Sequence, residues 1–133
     1  MAFPKLSDPE IDAVIQQVIK YIDSQRQTYR GNASPLDDNQ KAVVAPFFPQ
    51  SVLDSTRVVA LSGQRVSNPP FYGELIRIGF ESSQLPDFSE MTAITYVDTV
   101  VSHEPFTDRL LFHELVHVLQ YQKLGLGDRG QVR

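Results

Sequence analysis

The chain contains no cysteine. That single absence removes disulfides, thiolate metal sites and cysteine nucleophiles together, and it fits a reducing, cytoplasmic setting. Clusters of positive charge are missing too: 12 Lys and Arg are outnumbered by 16 Asp and Glu, for a net charge of −4. Without a basic patch to track phosphates, nucleic acid is not an expected partner. No apolar run is long enough to span a bilayer, so no membrane partner is expected. Met1 to Asp8 has no basic segment leading into a long apolar stretch, so no secretory leader is expected either. Internal repeats, a phosphate-cradling glycine loop and a Ser-His-Asp arrangement are also lacking.

What is present suits one folded unit. The 133 residues are 41% apolar and 21% charged, enough for a single domain over 1–133 with its own hydrophobic core. Ser7-Asp8-Pro9-Glu10 reads as a capping box with proline in the first turn. Behind it Ile11, Val14, Ile15, Val18, Ile19 and Ile22 recur at helical spacing and predict a helix with an apolar packing face. Gly31-Asn32 closes it with residues that accept positive φ. Ala33 to Pro49 is turn-rich, with Val43, Val44, Phe47 and Phe48 as anchors for a loop or short helix, and Ser51–Ser55 fits one helical turn.

Arg57–Ser62 reads as a short strand ended by Gly63, and Phe71–Phe80 as a second strand, bent at Gly73 or Gly79. Met91–Val101 alternates throughout and reads as a third. Thr107 or Asp108 then caps a helix that runs to about Leu124 and stops at Gly125. This order predicts an α+β fold: a small, mainly antiparallel sheet packed on an N-terminal and a C-terminal helix.

The last helix carries the chemistry. His113-Glu114-Leu115-Val116-His117 places two imidazoles four residues apart, on one helix face, where both reach one zinc ion. Glu114 is rotated by one residue, which suits a general base that takes a proton from zinc-bound water. Leu111, Leu115, Val118 and Leu119 form the opposite stripe and bury the helix. Two imidazoles in so apolar a frame carry a desolvation cost unless they are paired. Chance placement on a solvated helix is the bland alternative, and the apolar flanks argue against it.

Leu111-Phe112-His113-Glu114-Leu115-Val116-His117-Val118-Leu119-Gln120-Tyr121 resembles the active-site helix of the zincin metallopeptidases, and most of all small bacterial zincin-like proteins with this helix. The resemblance is specific over about Asp108–Gly125 and weak before Met91. It implies a zinc-dependent peptidase-like hydrolase acting on a peptide or protein, with Met91–Val101 as the edge where an extended substrate pairs.

One part of the pattern departs from that family. No Glu or His follows His117, and Lys123 stands where a third histidine would fall. Asp128 is the only downstream carboxylate. His103 and Glu104 are the upstream alternatives, against a plain reading as an exposed loop pair before Pro105. A truncated chain whose missing helix carries the ligand, or a neighbouring subunit, are further sources. Tyr121 can donate to an oxyanion or simply pack at the helix edge, and Tyr96 and Asp98 can line a cleft or an exposed strand face. A non-catalytic binding or structural domain that kept the helix but lost a complete site is the competing reading.

Overall fold

In a computed structural model residues 5–125 are described. Helix α1 (Asp8–Arg30) starts as its sequence dictates. The Ser7 hydroxyl accepts from the Glu10 amide at 3.3 Å, and the Glu10 carboxylate accepts from the Ser7 amide at 2.9 Å. Its end differs from expectation, because Gly31 caps it in the right-handed region, at φ −61°. The packing face also differs. Ile11, Ile15 and Val18 are exposed, and burial begins at Tyr21, in the C-terminal half of the helix.

Strand β1 (Ser34–Pro35) is followed by α2 (Asp38–Val44), α3 (Gln50–Ser55) and β2 (Arg57–Ala60). The expected strand over Phe71–Phe80 is instead helix α4 (Tyr72–Arg77). Leu75 is its one buried residue, while Ile76 and Ile78 are exposed, so the apolar cluster that suggests a strand turns one residue inward. Gly79, at φ +119°, ends the helix rather than bending a strand. Its amide donates to Ile76 O and that of Phe80 to Leu75 O, the paired bonds of a left-handed glycine cap.

After two 3₁₀ turns (Ser82–Gln84 and Phe88–Glu90), β3 (Ala93–Tyr96) and β4 (Thr99–Ser102) form a hairpin, and α5 (Asp108–Lys123) follows. The single strand expected over Met91–Val101 is therefore folded back on itself. Val97 takes φ +64°, and the Asp98 carboxylate is drawn out of the strand by Arg26, at 2.8 and 3.0 Å, and Arg30, at 3.0 Å. The reversal puts Ile94 opposite Val101 and Thr95 opposite Val100.

The sheet order is β1-β2-β4-β3. β1–β2 and β4–β3 are antiparallel, but β2 and β4 run parallel, so the sheet is mixed. Alternation along the strands divides the core between its two faces. Val100 packs in one cluster with Leu36, which precedes α2, and with Val44, Val52, Leu111, Leu115 and Val118 from α2, α3 and α5. Ile94, Tyr96 and Val101 meet Tyr21 and Val66 on the face covered by α1. Among the described residues no helix is long and apolar enough to cross a membrane.

Candidate metal centre

Helix α5 is held at both ends. The Thr107 hydroxyl accepts from the Leu110 amide at 3.1 Å, and Asp108 and Lys123 set opposite charges at the matching ends of the helix dipole. Leu111, Leu115 and Val118 are buried on the sheet. With that face fixed, His113 and His117 turn toward the free edge of β3. Their ring centroids are 5.1 Å apart and their planes cross at 81°.

Glu114 lies deeper than helical spacing alone suggests. It is 4% exposed, wedged between α5 and β3. The Thr95 hydroxyl is 2.9 Å from Glu114 Oε1 and 3.3 Å from the Glu114 carbonyl oxygen. Oε2 faces the histidines, 3.9 Å from His113 Nε2. One donor atom each from His113, Glu114 and His117 lies within 4.8 Å of the others, so this group can hold a metal ion.

His117 Nδ1 is 2.9 Å from Gln120 Oε1. An amide oxygen only accepts, so Nδ1 carries the proton and Nε2 keeps a free lone pair for a metal. Gln120 is one turn further along the helix, and that spacing could have flagged it. Thr95 had no such signal, because only the packing of β3 on α5 brings it to the glutamate.

The other sequence candidates are placed differently. Both ring nitrogens of His103 are engaged: Nδ1 donates to Met91 O at 2.5 Å, and Nε2 accepts from the Val66 amide at 3.0 Å. Glu104 is exposed, and its backbone amide and carbonyl both bond to the Ser102 hydroxyl. Neither joins the metal-binding group. Asp128 lies outside the described residues. Asp98 is spent on the two arginines, and Tyr96 is a core residue bonded to Tyr21 at 3.1 Å. Tyr121 does reach the site, with burial pushing its phenol pKa up.

A cleft of about 520 Å³ lies between β3 and α5. His113, Glu114 and His117 line one side, Met91, Ala93 and Thr95 another, and Tyr121 borders it. Comparison with protein-family models, curated proteins and solved structures finds no match to this chain. The donor set is two imidazoles and a carboxylate, a combination suited to a divalent first-row metal.

Proposed function

We propose that the chain is a zinc-dependent, peptidase-like hydrolase of zincin type. The observation that carries this reading is the convergence of His113, His117 and the buried Glu114 in one open cleft. His113 and His117 are the zinc ligands. When bound, zinc supplies a Lewis acid and brings the pKa of water to about 7. Thr95 occupies Glu114 Oε1, so Oε2 is the oxygen left to take a proton from the attacking water and return it to the leaving amine. The Tyr121 hydroxyl borders the same cleft and is the side-chain donor for the oxyanion.

Strand β3 supports a peptide substrate. It is the sheet edge beside the metal group. In its ladder with β4 the His103 amide donates to Thr92 O at 2.8 Å, so Thr92, Ile94 and Tyr96 turn their backbone groups inward. Those of Ala93 and Thr95 then point out of the sheet, where an extended peptide can add as a further strand.

The test pairs zinc content with turnover. Wild-type protein dialysed against zinc should hold one equivalent and cleave a fluorescent casein. Glu114→Gln should keep the metal and lose activity by at least about 100-fold. Zinc at a hundred times its Kd should stabilise the fold by about 2.7 kcal/mol. Zinc binding without any hydrolysis would favour the non-catalytic domain, a reading supported by the absence of His103 and Glu104 from the metal group. No zinc binding at all would end both the ligand assignment and the enzyme reading.

A further inference from the structure

Beyond the β3 edge lies a second cavity, of about 330 Å³, walled by α1, by the segment around α4 and the 3₁₀ turns, and by β3. It shares Ile94, Thr95 and Tyr121 with the metal cleft, so the two spaces adjoin. Four tyrosines line this second cavity, and three of them have their hydroxyls engaged. Tyr21 donates to Ser67 O at 2.8 Å and pairs with Tyr96, and Tyr72 donates to Pro86 O at 2.7 Å. The chamber is therefore apolar in character although several of its walls are tyrosines. A charged or strongly polar ligand would lose its hydration there with few partners in return.

We propose that this chamber is the specificity pocket of the metal site, taking a bulky apolar or aromatic side chain of the peptide laid along β3. The inference rests on the peptidase reading above. Strand geometry supplies the fit. Side chains of an added strand alternate between faces as those of β3 do. Thr95 points to the α5 face and the metal group, whereas Ile94 and Tyr96 point to the α1 face. A peptide paired with the outward groups of Ala93 and Thr95 presents residues on the α5 side to the metal. Their immediate neighbours then face the α1 side, where the chamber opens. Its volume accommodates one large ring. Preferred substrates are thus extended peptides with Phe, Tyr or Leu next to the residue at the metal.

Two measurements test this, one of them independent of catalysis. Indole, titrated into metal-free protein, should shift the methyl resonances of Val18, Leu75 and Ile94. Val18→Trp narrows the chamber from the exposed side of α1 and should abolish the shifts of Leu75 and Ile94. Leu85→Trp fills it from the opposite wall and guards against a folding failure in the first variant. In the zinc-loaded protein, peptides carrying Phe in place of Ala should be cleaved with kcat/KM higher by about 30-fold. That preference should collapse in both variants. Indole shifts that miss the three methyl groups would overturn the pocket. Indole binding with an intact Phe preference in both variants would overturn its role in specificity and leave the peptidase reading standing. If no peptide were cleaved by zinc-loaded protein, the peptidase reading would fall, and the specificity role with it, whatever indole does.

Discussion

Thr95 decides which oxygen of Glu114 is free. Its hydroxyl is the one side-chain donor to that buried carboxylate among the described residues. Thr95→Val keeps the shape and removes the donor. It should cost about 1–3 kcal/mol of stability and lower turnover about 10–100-fold, with zinc stoichiometry retained. Thr95→Ser should restore most of both; urea denaturation and casein cleavage read the two effects. His103 has the opposite character, since its ring clips Met91 to Val66 and stands apart from the His113–Glu114–His117 group. His103→Ala should destabilise the protein by about 1–3 kcal/mol and leave one zinc per chain. A loss of zinc in a variant that remains folded would make it a ligand after all.

At the scale of elements, legibility follows the range of the interactions involved. The start of α1 and the whole of α5 can be read from the chain because their signals lie within a few residues of one another. The right-handed Gly31 and the exposure of Ile11, Ile15 and Val18 in α1 depend instead on what the helix meets in the fold. The metal group is legible for the same reason: His113, Glu114 and His117 share one helix. α4 is not, because Leu75 and Ile76 look alike in sequence and only the Schellman-type bonds at Gly79 and Phe80 show a helix ending there. Nor is the β3–β4 turn, where alternation continues through Val97 and Asp98 without a glycine signal. Arg26 and Arg30, on a distant helix, hold that turn. The parallel pairing of β2 with β4 and the contact of Thr95 with Glu114 are likewise long-range facts of packing.

Across the whole molecule, the metal group depends on two kinds of closure. Thr95 and Glu114 are 19 residues apart, whereas Arg26 and Asp98 are 72 apart. Each doubling of loop length adds about 0.6 kcal/mol of closure entropy, so the hairpin and α5 are the natural first assembly and α1 docks later. Asp98→Ala should accordingly speed unfolding about 10-fold or more and leave the folding rate near that of the wild type. Stopped-flow chevrons read both limbs, and a matching drop in folding rate would place α1 docking before the barrier. The Arg26–Asp98 pair also has a meaning during synthesis. A ribosome adds roughly 5–20 residues per second, so the 72 residues from Arg26 to Asp98 take about 4–14 s to appear. Throughout that interval Tyr21, the buried residue of α1, is without Ile94, Tyr96 and Val101, the strand residues it packs on in the finished fold.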